Sequence, residues 1–208
     1  IFTSDNGSRL QDQGGNNGVL RGRKGQTWEG GHRVPCIMRW PSRIPAGEVR
    51  NELASTIDFF STIAGIAGAE LPQDRTTDGV DISSLMFANE PTESPRSEFF
   101  YYLENNIEAV RDSRWKLHVR KEDEEINELY DLESDPGETV NVFDDHPNVV
   151  ARLTALIESC RQDLGDDVNG FAGNDVRPAG RVKNPDTLTH YDPEHPYIYA
   201  EYDKAERG

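Results

Sequence analysis

The chain has 208 residues and carries 38 Asp and Glu against 22 Lys and Arg, a formal charge of −16. That sign argues against nucleic acid as a partner, because phosphate contacts need Lys and Arg, and against docking on anionic membrane surfaces. A 35% hydrophobic share supports one core with a smaller appendage, and no stretch approaches the ~20 apolar residues of a membrane span. Cys36 and Cys160 lie too far apart to define a disulfide framework or a zinc site.

The opening Ile1-Phe2-Thr3-Ser4 reads as the end of a buried strand, so a longer sequence is expected upstream. Residues 5–33 are too rich in Gly for a regular helix or a central strand. They also carry Arg21, Arg23, Lys24, Trp28, Glu29 and Arg33, which a plain linker would not. Residues 34–40 predict a short strand. From Leu53 to Ala67 the apolar set Leu53, Ile57, Phe60, Ile63, Ala64 and Ala67 recurs at helical spacing, with Gly68 at the C-cap. Asp78-Gly79 marks a turn, and residues 82–87 a short helix.

The pattern changes near residue 97. Residues 99–103, 107–111, 115–120 and 128–132 predict four strands, the middle pair joined by a turn at Asp112 to Arg114. Apolar and polar residues alternate over 115–120, as expected of a sheet with one buried face. Asp144 or Asp145 can cap the helix that follows, and Pro147 suits its first turn. Val149, Leu153, Leu156, Ile157, Cys160 and Leu164 form its stripe, which makes Cys160 a small buried apolar residue. Gly165 ends the helix, and residues 166–208 predict an extended tail.

Three constellations carry chemistry. Asp5 and Asn6, before Gly7 at a strand end, offer one charged and one neutral oxygen to a hard cation such as Ca²⁺ or Mg²⁺. The same tripeptide is also a good turn sequence. Arg21-Gly22-Arg23-Lys24-Gly25 is the densest positive cluster, read as an exposed basic loop or as an oxyanion site in which Lys24 meets an anion or assists a leaving oxygen. In Thr27-Trp28-Glu29-Gly30-Gly31-His32-Arg33-Val34-Pro35, Glu29 and Arg33 are placed for a buried ion pair, and the paired Gly residues for close backbone packing.

In that order these segments resemble the C-terminal half of the formylglycine-dependent sulfatases. Ser55-Thr56-Ile57-Asp58-Phe59-Phe60, Asp78-Gly79-Val80-Asp81, Trp115-Lys116, Glu128-Leu129-Tyr130-Asp131-Leu132 and Asp135-Pro136-Gly137-Glu138 extend the resemblance to about residue 165. It implies an alkaline-phosphatase-like α/β fold. Residues 1–97 would be the end of the catalytic domain and residues 98–165 a small α+β subdomain, a four-stranded antiparallel sheet with one helix. The resemblance makes Asp5 and Asn6 Ca²⁺ ligands (Mg²⁺ being the lesser alternative), Lys24 a catalytic, sulfate-contacting lysine, and His32 a variable position facing the substrate.

The family nucleophile, a Cys or Ser converted to formylglycine within Cys/Ser-x-Pro-x-Arg, has no match here, since Cys36-Ile37-Met38-Arg39 fails the pattern. The resemblance therefore implies a sulfatase fragment acting on a sulfated small molecule or glycan, inactive without an N-terminal part of the same enzyme that carries the formylglycine, and commonly exported. A phosphodiesterase or phosphonate hydrolase of the same superfamily is the alternative enzyme. A non-catalytic module for acidic glycans is the alternative binding protein.

Overall fold

A computed structural model of the chain describes residues 1–9, 15–178, 180, 181 and 183. Residues 1–176 form one compact unit, and a second begins at Arg177. Most of the tail expected over 166–208 lies outside the described residues. Among those described, no helix is long and apolar enough to cross a membrane.

The four strands expected after residue 97 are present as β3 (Phe99–Leu103), β4 (Asn106–Arg111), β5 (Trp115–Lys121) and β6 (Glu124–Asp131); the two shorter elements before them take β1 and β2 below. They form an antiparallel meander in chain order. Short connections dictate that order. Glu104 and Glu122 adopt positive φ at the outer turns. At the middle turn the Asp112 carboxylate accepts the N–H groups of Arg114 and Trp115 at 2.8 and 2.6 Å, a local Asx turn.

Register sorts the side chains. Val110 sits opposite Leu117, and Leu117 opposite Leu129; one step along, Arg111 faces Lys116 and Lys116 faces Tyr130. A period of two therefore puts the aliphatic set on one face and the polar set on the other. Helix α4 (Pro147–Leu164) covers the aliphatic face. Its Leu153, Ile157 and Cys160 are buried with Ile107, Val110, Leu117 and Leu129. Each buried aliphatic side chain contributes about 1.5–3 kcal/mol. Cys160 behaves as a small core residue, its Sγ 3.3 Å from the Tyr102 hydroxyl.

Two expectations need correction here. Asp144 and Asp145 do not cap α4: they belong to a 3₁₀ turn, Phe143–Asp145, and the cap is His146 with no side-chain bond. The His146 carbonyl instead accepts from Val149 and Val150, and Pro147 has no N–H to satisfy. Nor does the sheet have only one buried face. Lys116 and His118 are both 0% exposed, because the glycine-rich segment closes over the polar side.

The first part of the chain holds β1 (Phe2–Thr3) paired antiparallel with β2 (Cys36–Ile37). Phe2 is 68% exposed, so β1 is not buried within this chain. Helix α2 (Asp58–Ala67) ends at Gly68 in the left-handed region, as its spacing predicts. Its apolar stripe, however, points outward: Ile57, Phe60 and Ile63 are 45%, 58% and 53% exposed. The buried side is polar. Asp58 accepts from Ser55 N–H and Val80 N–H and forms a bidentate pair with Arg96, while Ser61 Oγ donates to the Gly79 carbonyl. The Ser55–Phe60 and Asp78–Asp81 motifs thus interlock. Helix α3 (Ser83–Phe87) follows, with Leu85 buried.

Candidate functional site

The site is assembled where three stretches of backbone cross. Gly7 N–H donates to the Gly31 carbonyl at 3.0 Å, Lys24 N–H to the Ser8 carbonyl at 3.1 Å, and Gly30 N–H to the Arg21 carbonyl at 2.7 Å. Nothing larger than hydrogen fits at the crossing. A Cβ on Gly7 would lie 1.7 Å from the Gly30 oxygen, and one on Gly31 1.9 Å from the Gln26 oxygen. The paired glycines are therefore a packing requirement, as their sequence suggests. Gly30 and Gly31 belong to the one-turn helix α1 (Glu29–His32).

The expected Glu29–Arg33 ion pair does not form. Arg33 is exposed, and its backbone N–H caps α1 through the Glu29 carbonyl at 2.6 Å. Glu29 turns inward instead and meets Arg111 at 2.8 Å, Lys116 at 3.0 Å and the Tyr101 hydroxyl at 2.8 Å. The strands offer two cations at the right register, while Arg33 on the open side could not have paid for the burial of a carboxylate. Burial pushes the Glu29 carboxyl up, but Lys116 and then Arg111 outweigh it and hold it at about 2.

A second carboxylate completes the seam. Glu138 accepts from Lys116 at 3.0 Å, from His118 Nε2 at 2.7 Å and from the Glu29 N–H at 2.7 Å. Burial raises its pKa, with Lys116 opposing. Burial also drives His118 well below the usual imidazole range, helped by Lys116, Lys121 and Arg21. Neutral His118 then donates through Nε2, and its Nδ1 has no partner among the described residues. Trp28 fills the rest, with Arg21 3.6 Å and Lys121 4.0 Å from its ring and His118 4.3 Å centroid to centroid. Lys121 also bonds Thr27, which bonds Glu108.

Of the residues singled out from sequence, Asp5 and His32 line one cavity of about 210 Å³, together with Thr3, Arg33, Ser55 and Tyr101. Asn6 and Lys24 are not part of its lining. The backbone bond from Lys24 to Ser8 nonetheless sets the lysine loop against the Asp5-Asn6 turn. The His32 ring packs edge-on to Tyr101 at 5.0 Å, and burial, then Lys116, lowers its pKa.

Asp5 has one weak partner, Ser4 Oγ at 3.4 Å, and the Asn6 amide group makes no hydrogen bond among the described residues. Two hard oxygens are therefore open to a cation. Ca²⁺ takes six to eight, and no group of three or more His, Cys, Asp or Glu among the described residues is arranged to hold a metal. Two adjacent oxygen donors could supply only part of such a shell. The seam residues Glu108, Lys116, His118 and Glu138 were not anticipated as a network; the like charges at facing positions of β4 and β5, Arg111 opposite Lys116, were the signal that carboxylates must lie over them.

A family model described as N-sulphoglucosamine sulphohydrolase, C-terminal, matches residues 23–163. The chain belongs to the sulfatase family, and the fold is the alkaline-phosphatase-like one that this family shares. Among its relatives, an arylsulfatase of Hemicentrotus pulcherrimus is 38% identical over 139 residues, 66% of this chain and 25% of the relative. A steryl-sulfatase of Mus musculus is 44% identical over 117 residues, 53% of this chain and 19% of the relative. A solved structure, Ps i-CgsB in complex with k-i-k-neocarrahexaose, superposes with a TM-score of 0.66 at 29% identity, covering 76% of this chain and 35% of that one. The chain thus spans a quarter or less of the length of these two relatives.

Proposed function

We propose that this chain is the C-terminal portion of a sulfatase that hydrolyses sulfate esters of a small molecule or glycan. The observation that supports the reading is the backbone crossing, in which Lys24 N–H bonds to the Ser8 carbonyl and Gly7 N–H to the Gly31 carbonyl, bringing together the stretches of backbone that carry Asp5, Asn6, Lys24 and His32. Asp5 and Asn6 would hold Ca²⁺, whose charge stabilises the sulfate oxygens. Lys24 contacts the sulfate as a point charge and neutralises the leaving oxygen as the ester bond breaks, an electrostatic role that strengthens in the transition state. His32 faces the substrate from the rim of the cavity. The nucleophile would be a formylglycine supplied by an N-terminal part of the enzyme.

The outward stripe of α2 supports that partner. Phe60 and Ile63 stand exposed on the helix with Ile57 just before it, and Phe2 and Ile37 stand exposed on the two short strands with Ile1 beside them. Large apolar exposure marks a surface made to be covered. The remaining strands and helices of the catalytic domain are the occupant that this reading assigns to it.

The test is turnover of an aryl sulfate. The complete enzyme should hydrolyse it and residues 1–208 alone should not. In the complete enzyme, Lys24→Ala should lower kcat by about 10²-fold, and Ca²⁺ chelation should abolish turnover. Activity of the isolated chain, or a complete enzyme that cleaves phosphodiesters in preference to sulfates, would overturn the reading.

A further inference from the structure

We propose that Glu138 is a positioning residue for Lys24, an inference that rests on the sulfatase reading above. Glu138 lies more than a hundred positions from the lysine in sequence, yet it fixes the loop that carries the lysine from both ends.

Three features of Glu138 point this way. Its carboxylate is fully buried and bridges the sheet to the loop, taking Lys116 and His118 from β5 and the backbone N–H of Glu29 from the start of α1. Its own carbonyl accepts Arg21 Nη1 at 3.0 Å, and that guanidinium sits over the Trp28 ring and reaches the Tyr130 hydroxyl at 3.2 Å. Its backbone, finally, is held at φ 51, a left-handed conformation unusual for a non-glycine residue. The surrounding turn holds it there: the Asp135 carboxylate takes the N–H groups of Thr139 and Val140 at 2.7 and 2.9 Å, and Gly137 packs where a Cβ would meet the Val19 oxygen at 2.8 Å.

Arg21 and Glu29 bracket Lys24 in sequence, and Glu138 holds both. Between them the Lys24–Ser8 bond ties the loop to the segment that follows Asp5 and Asn6, and the Gly7–Gly31 bond ties its far end. Release of the Glu138 carboxylate frees the start of α1, and with it the crossing that ties the Lys24 backbone to Ser8, two residues after Asn6. A misplacement of about 1 Å costs up to 10²-fold in rate.

The test is a double-mutant cycle in the complete enzyme, paired with hydrogen exchange on the chain itself. Glu138→Gln should lower kcat by about tenfold or more with a KM change of less than about threefold. Lys24→Ala should cost much less in the Glu138→Gln background than in the parent, because the two act on one contact. Glu138→Asp, which keeps the charge, should recover part of the loss, and it serves as the test variant if the Gln form does not fold. In residues 1–208, amide exchange should rise at 22–31 and stay unchanged in α4. Additive effects of the two substitutions, or faster exchange spread evenly over α4, would overturn the proposal. If the parent enzyme turns over no sulfate ester, the functional reading fails, and the exchange pattern alone then decides whether Glu138 holds the loop.

Discussion

On one face of the four-stranded sheet, Val110, Leu117 and Leu129 meet Leu153, Ile157 and Cys160 of α4; on the other, Arg111, Lys116 and His118 meet Glu29 and Glu138 under the glycine-rich loop. Leu117 is 1% exposed and Lys116, its neighbour, 0%. Equal burial is reached by opposite means. The aliphatic face is held by non-directional packing, which tolerates repacking at similar volume. The polar face accepts only arrangements in which each buried donor meets its acceptor. The first face supplies stability; the second specifies where one particular loop must lie. The candidate site sits on the specified side.

The sharpest way to break this comparison is Lys116→Ala. It leaves Glu29 and Glu138 facing each other in a dry seam without their shared cation, and should cost about 3–5 kcal/mol in urea unfolding. Leu153→Ala on the other face should cost about 2–5 kcal/mol, with a midpoint loss that does not depend on pH. The Lys116→Ala loss should shrink on acidification, as one carboxyl takes up a proton. A pH-independent loss in both would erase the distinction between the faces.

A smaller effect concerns His118. The fold refuses its proton, whereas the unfolded chain accepts one near 6.5. Stability should therefore fall as pH drops below about 6.5. Glu29 behaves differently: its folded pKa is depressed from 4.5 to about 2, so its contribution is complete above the unfolded value and disappears only as pH falls through about 2. Melting temperatures between pH 7.5 and 5 should decline, and His118→Gln, which keeps a donor toward Glu138, should flatten the decline. An unchanged slope removes His118 as its cause.

Lys121 gives the smallest effect. Burial lowers its pKa to about 8 against the pull of Glu108, and its side chain is 18% exposed. The folded chain thus sheds this proton before the unfolded chain does, so stability should rise slightly between pH 8 and 10.5. A ¹³C NMR titration of Lys121 should give a midpoint near 8; a midpoint near 10.5 would mean the amine is solvated.

The strands and α4 were legible because their periods were clean: alternation over 115–120 and a 3.6-residue stripe from Val149 to Leu164. The same reasoning located α2 but not its buried side, since a periodic stripe does not say which side the rest of the protein covers. Lys116, His118 and Arg120 read as a solvent face because charge at alternate positions has the same pattern whether water or a loop lies above it. Their partners, Glu29 and Glu138, are close only in three dimensions. Asp5, Asn6, Lys24 and His32 were singled out through motif order alone; no spacing rule links positions 5 and 24.

The crossing of backbones at Gly7, Gly30 and Gly31 has a genetic consequence. Every single-base change that turns a glycine codon into another amino acid adds at least a β-carbon, and at these three positions that carbon would fall within 2.5 Å of a carbonyl oxygen. Missense variation here therefore has no mild step. Alleles altered at these codons should behave as near-nulls, whichever residue replaces the glycine.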